Sequence, residues 1–151
     1  MMKAIGESVE PRHDPAHHER ILCGRADCAW PIARTRRLDD IGGDWPPGSI
    51  FPTVPVGAYD VTHDARGLPA KGAVYEPTKR TLQKTARALR LLGAGSISRE
   101  EAIWQGRPGA RSEKRRAGVV SFELLRTPCG LRCPACLTVN RIRWSLQTGL
   151  A

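Results

Sequence analysis

Cys133-Pro134-Ala135-Cys136-Leu137-Thr138-Val139-Asn140-Arg141-Ile142 places two thiols on either side of a short turn and follows them with the start of a β-strand. Pro134 suits the turn because its ring fixes φ at the first residue after the leading cysteine. Cys23 and Cys28, with four residues between them, form a second close pair far upstream. A tetrahedral zinc site is usually assembled from two such pairs, each a tight turn that aims its thiolates at one ion. This spacing therefore predicts a metal site of Cys23, Cys28, Cys133 and Cys136. Cys129 leaves an alternative open, since Cys129 and Cys133 could furnish a pair in place of Cys133 and Cys136.

The flanks favour the first ligand set. Val120, Phe122 and Leu124 alternate with Ser121 and Glu123, which predicts a half-buried strand over 119–125. A second strand is expected from Leu137 to Trp144 or Leu146, with Leu137 and Val139 inward and a change of phase near Asn140. Strand, turn and strand around Cys133 and Cys136 make one half of a zinc ribbon, and residues 21–41 make the other. The intervening 104 residues (29–132) would be closed into a loop. Closing it costs roughly 4–5 kcal/mol of chain entropy, against the roughly 10–16 kcal/mol that structural zinc supplies in small peptides. Iron in a rubredoxin-like four-thiolate site shares the donor set.

Cys133-Pro134-Ala135-Cys136 through Asn140-Arg141-Ile142 resembles a bacterial zinc-ribbon knuckle of the form CPxCxxxNRI. It is similar to part of the zinc-binding head of some bacterial thioredoxins and, more loosely, to phage translational activators of the Com type. The resemblance spans about 15 residues here and only the spacing at Cys23 and Cys28. Leu137 stands where such knuckles usually carry Gly. What the resemblance implies is zinc, without an activity.

Composition agrees with a chain that needs such a staple. Of 151 residues only 31 are Leu, Ile, Val or Phe, near the border below which disorder is expected. One large hydrophobic core is not expected. Neither a long apolar run nor an export signal is read, so the expected location is the reducing cytoplasm, where thiols bind metals more often than they form disulfides. The five cysteines are also an odd number for disulfide pairing.

The expected class is α+β: a small zinc-ribbon-like β core with a basic helical insertion and irregular loops. Residues 1–20 read as a flexible tail, with His13, His17 and His18 as solvated residues rather than ligands. Residues 42–77 read as a Pro/Gly-rich loop region with room only for short strands such as 73–75. The insertion, 78–118, opens with a helix over 78–92. Leu82, Thr85, Ala86, Leu89 and Leu92 are expected on its core face. A second, shorter helix is capped by Ser98 and Glu101 and runs to Gly106.

The formal net charge is +9, from 24 Lys and Arg against 15 Asp and Glu. Between Pro77 and Arg116 lie 11 of those cations and only Glu100, Glu101 and Glu113. Lys79, Arg80, Lys84, Arg87 and Arg90 on the helix, followed by Arg107, Arg111, Lys114, Arg115 and Arg116, could neutralise phosphates in a salt-dependent way. Sequence-nonspecific nucleic-acid binding or a regulatory role near nucleic acid is the leading expectation, and a zinc-stabilised protein adaptor working through the same insertion is the alternative. Glu100 and Glu101 would repel phosphates where a recognition helix enters a groove, which removes a helix-turn-helix reading. Trp104, Trp144 and Phe122 are expected to be buried and unavailable for stacking. No nucleophile, base and orienting group can be nominated together, so an enzyme is not expected, nor is a small-molecule substrate or a membrane.

Overall fold

In a computed structural model of the chain, the described residues are 8–37, 50–70, 72–107 and 122–143. In chain order come β1 (Ser8–Val9), β2 (Arg12–His13), β3 (Arg20–Leu22), β4 (Pro31–Arg37), β5 (Ile50–Pro55), β6 (Tyr59–Asp60) and β7 (Val74–Pro77). Helices α1 (Lys79–Gly93) and α2 (Arg99–Gly106) follow, and then β8 (Phe122–Leu124), β9 (Cys129–Arg132) and β10 (Val139–Ile142). The class is α+β, a β-rich core into which two helices are inserted between β7 and β8.

The strands form two sheets. β2, β3, β4 and β5 make an antiparallel meander, with β8 added on the far side of β5. The other sheet has the order β1-β10-β9-β7-β6 and is mixed, because β1 runs parallel to β10 and β7 parallel to β9. Ile21, Trp30, Ile32, Val54, Tyr75, Leu131 and Ile142 are buried in one continuous cluster with Ala88, Ala102 and Ile103 of the helices. Tyr59 joins it without stranding a polar atom, since its hydroxyl donates to the Ile32 carbonyl at 3.0 Å.

Several expectations are corrected. Residues 8–20 are not a free tail: β1 pairs with β10 in the register Ser8↔Val139 and Val9↔Asn140, and β2 pairs with β3. Two-residue strands are too short to show periodicity, and the partner of β1 is more than a hundred residues away. Residues 1–7 lie outside the described set. The 42–77 region holds a six-residue strand, β5, with Phe51, Pro52, Thr53 and Val54 all buried. Prolines cannot donate to a ladder, but they can accept, and the Pro52 carbonyl takes the Leu125 amide at 3.0 Å. Between the two expected C-terminal strands lies a third, β9. β10 is shorter than expected and in the opposite phase: Asn140 and Ile142 face inward, while Leu137 precedes the strand and is exposed. β8 covers 122–124, and 119–121 are outside the described residues.

The helix starts where local chemistry dictates. Thr78 caps α1 by accepting the Thr81 amide, and Ser98 caps α2 by accepting the Glu101 amide at 3.1 Å. The buried face of α1 differs from the leucine face expected: Thr81, Thr85 and Ala88 are buried, Leu92 is half-buried, and Leu82 and Ala86 are exposed. Small residues are needed there because α2 comes close. A Cβ at Gly106 would stand 3.1 Å from the Ala88 Cβ and 3.0 Å from the Trp30 ring. The Thr81 hydroxyl also fixes the rotation by donating to the Ala58 carbonyl at 2.8 Å.

Candidate metal centre

Each sheet contributes one cysteine turn. Cys23 and Cys28 lie in the connection from β3 to β4, and Cys133 and Cys136 in the connection from β9 to β10. The two turns share a backbone plan. The Cys23 amide donates to the Trp30 carbonyl at 2.8 Å, and the Cys133 amide to the Thr138 carbonyl at 2.9 Å, so each leading cysteine closes onto the residue two past its partner. The residue directly after each second cysteine has positive φ, 51° at Ala29 and 67° at Leu137. Such a conformation costs roughly 1–2 kcal/mol for a residue with a side chain, a strain that the surrounding turn has to hold.

The turns meet crosswise. Cys23 Sγ lies 3.5 Å from Cys136 Sγ, and Cys28 Sγ lies 3.7 Å from Cys133 Sγ. All four sulfurs fall within 4.8 Å of one another, a group that could hold a metal ion. Cys23 and Cys133 are fully buried, whereas Cys28 and Cys136 are half-buried. Cys129 is also buried but stands apart from the group, paired across the ladder with Ile142. Burial alone pushes its thiol up to about 12, as expected of a core thiol in apolar surroundings.

Cys23, Cys28 and Cys133 do not hold their protons equally. Hydrogen bonds from Cys133 and Cys28, and then from the Arg25 and Asn140 amides, hold the Cys23 thiol far below its usual range against the opposing effect of burial. At Cys28 the bond from Cys133 favours the thiolate, but donation to Cys23 and burial outweigh it, and the thiol is pushed up to about 12. Cys133 is raised by its bonds to Cys23 and Cys28 and by burial. Among these three, a thiolate is favoured at Cys23 while Cys28 and Cys133 are held toward the thiol, and a cation at the centre would favour their ionisation.

The surroundings suit an anionic cluster. The Ala135 amide points at Cys133 Sγ (3.3 Å), and Asn140 Nδ2 at Cys23 Sγ (3.5 Å). Asn140 Oδ1 accepts the Gly24 amide at 2.8 Å, so this one buried side chain joins the two turns. Gly24 has to be glycine for another reason, since a Cβ there would run into the Glu10 carbonyl. Arg99 of α2 donates to the Cys28 and Ala29 carbonyls at 3.0 and 3.2 Å. Arg25, ion-paired with Asp27, completes the cationic border on the open side. Asn140, Gly24 and Arg99 are not singled out by cysteine spacing. The Asn of the quoted stretch was the available sign, but strand alternation treats it only as a break in phase.

The cationic residues divide. Lys79, Arg80, Arg87 and Arg90 are exposed within an arc of about 100°, opposite Thr81, Thr85 and Ala88, and form no ion pair among the described residues. Lys84 is instead half-buried and donates Nζ to the Arg107 carbonyl at 3.0 Å. The Arg107 guanidinium lies over the Trp104 ring. Arg111, Lys114, Arg115 and Arg116 lie outside the described residues, as does Trp144. Trp104, expected to be buried, is 59 % exposed. Phe122 is half-buried, beneath the Arg36 guanidinium. His13 turns Nδ1 to the His18 carbonyl at 3.0 Å, and His63 is exposed in a loop. No helix among the described residues is long and apolar enough to cross a membrane. Comparison with protein-family models, curated proteins and solved structures finds no match for this chain.

Proposed function

We propose that Cys23, Cys28, Cys133 and Cys136 hold one zinc ion as a structural clamp between the two sheets, and that the clamped protein binds nucleic acid without sequence preference through the cationic face of α1. The spacing of the sulfurs carries the metal reading. Zinc–sulfur bonds of about 2.3 Å set the edges of a tetrahedron at about 3.8 Å, close to the 3.5 and 3.7 Å of the two crosswise pairs. Four protein ligands leave no position for water or substrate, so the role assigned is structural rather than catalytic. Zinc would neutralise the thiolates, while Asn140 and the Ala135 amide orient their sulfurs. The nucleic-acid reading is supported by Lys79, Arg80, Arg87 and Arg90, a strip of exposed cations with no acidic partner among the described residues.

Native mass spectrometry with metal analysis tests the clamp. Wild type is expected to carry one zinc per chain, Cys28→Ser and Cys136→Ser to lose it, and Cys129→Ser to keep it. A wild type that is folded and metal-free under reducing conditions would overturn the reading, and iron in place of zinc would correct the ion. Titration with DNA and RNA at about 50 mM salt tests the second half. Undetectable binding there would remove nucleic acid and leave the protein-adaptor reading.

A further inference from the structure

We propose that the groove between α2 and the antiparallel sheet takes an unpaired base against Trp104, so that the nucleic acid bound is single-stranded. This rests on the nucleic-acid reading and narrows it. Trp104 is the most exposed large apolar side chain among the described residues, at 59 %. It does not stand singly, since it lines one groove with Ile103 and Phe122, and an apolar patch of this kind marks a contact surface. The Arg107 guanidinium already lies 3.3 Å from the ring centroid, which shows that the indole accepts a flat, electron-poor partner.

The groove beside it is lined by Trp104, Ile103, Pro31, Phe122, Arg20 and Arg34. Its volume of about 150 Å³ is well below the ~300–1,000 Å³ of pockets that enclose whole cofactors, so it admits one planar ring rather than an entire ligand. The charge of the rim matches a phosphodiester. Arg20, Arg34 and Arg107 face it with Glu19 as the one carboxylate in the lining. The separations at two of these arginines are long among the described residues: 3.4 Å from Arg34 to Glu19, and 3.6 Å from Arg20 to both Asp14 and Glu100. Partly exposed pairs of this kind contribute little and can be exchanged for phosphate oxygens.

Continuity with the helix strip supports the same occupant. Lys84 donates to the Arg107 carbonyl, so α1, the helix that carries the cationic arc, packs against a residue that lines the groove. A strand whose backbone follows the arc brings a base to Trp104 only if that base is not held in a pair. In a duplex the bases are stacked and paired, and their faces cannot reach the indole. Single-strand binding sites commonly combine these two parts, a cationic track and an aromatic platform.

The test is anisotropy of the metal-loaded protein with an oligothymidylate of about 12 nucleotides and with a duplex of equal length, at one salt concentration. The single strand is expected to bind more tightly and to quench tryptophan emission. Trp104→Ala should weaken single-strand binding about 5- to 150-fold and leave duplex binding nearly unchanged, while Trp104→Phe retains most of it. Unchanged metal content and circular dichroism establish that the variants are folded. Equal wild-type affinity for both forms, or equal losses for both in Trp104→Ala, would overturn the groove inference while leaving the nucleic-acid reading intact. Absence of binding to either form overturns both.

Discussion

Asn140, itself fully buried, commits its oxygen to the Gly24 amide and its nitrogen to Cys23 Sγ and the Thr138 carbonyl. A buried amide so placed orients a ligand from one turn while being carried by the other. Asn140→Asp keeps the shape but turns the donor toward Cys23 into a second anion. Metal affinity is expected to fall about 10- to 100-fold, the usual cost of losing a group that orients a ligand, with the change read by competition with a chromophoric chelator. Unchanged affinity would reduce Asn140 to a space-filling role. The residue scale is also where the sequence is most legible in one respect and least in another. Spacing leaves Cys129 open as an alternative, and the strand, turn and strand expected around Cys133 and Cys136 favour Cys23, Cys28, Cys133 and Cys136, the four that the structure brings together. The positive φ at Ala29 and Leu137 is not legible, because neither residue type announces it.

The helices show the same division one level up. The starts of α1 and α2 follow from the N-caps Thr78 and Ser98, which act within four residues. Which face of α1 is buried depends on the approach of Gly106 to Ala88 and on the Thr81 bond to Ala58, and both partners are distant in sequence. β1, β5 and β9 escape a periodicity reading for a related reason: β1 is too short, β5 is buried on both faces, and β9 is covered by neighbours on each side in the sheet. The rotation of α1 has a measurable consequence. Lys84 is withdrawn to the Arg107 carbonyl, leaving Lys79, Arg80, Arg87 and Arg90 as the exposed cations of this helix. Replacing Lys79 and Arg87 together by Gln is expected to lower the slope of log affinity against log salt by about 2, with helix content unchanged. Replacing Lys84 by Gln should barely move the slope, and a loss as large as that of Arg87 would contradict its placement.

At the scale of the molecule, the two sheets share a modest core and are tied through the cysteine turns that each contributes. The sequence arithmetic anticipates this need, since so few large apolar residues cannot stabilise two sheets by burial alone. It does not anticipate that there are two sheets, because β1 and β10 become neighbours only after the whole chain is arranged. Metal removal by a strong chelator under reducing conditions is expected to release the crosswise closure. If only its roughly 4–5 kcal/mol is lost, the thermal midpoint falls by about 8–20 °C. Additional loss would end cooperative unfolding altogether. A metal-free form that melts within about 2 °C of the loaded one would show that the sheets hold together without the clamp.

The crosswise pairing of Cys23 with Cys136 and of Cys28 with Cys133 also sets a timetable for synthesis. A ribosome emits the first turn early and the second 105 residues later, from Cys28 to Cys133, a gap of about 5–20 s at ordinary elongation rates. During that interval the meander of β2 to β5 can pair with itself, but its two thiols wait without Cys133 and Cys136. Any stall or premature stop before Cys133 therefore releases a nascent chain with a bare, soft-metal-seeking dithiol and no partner for β1.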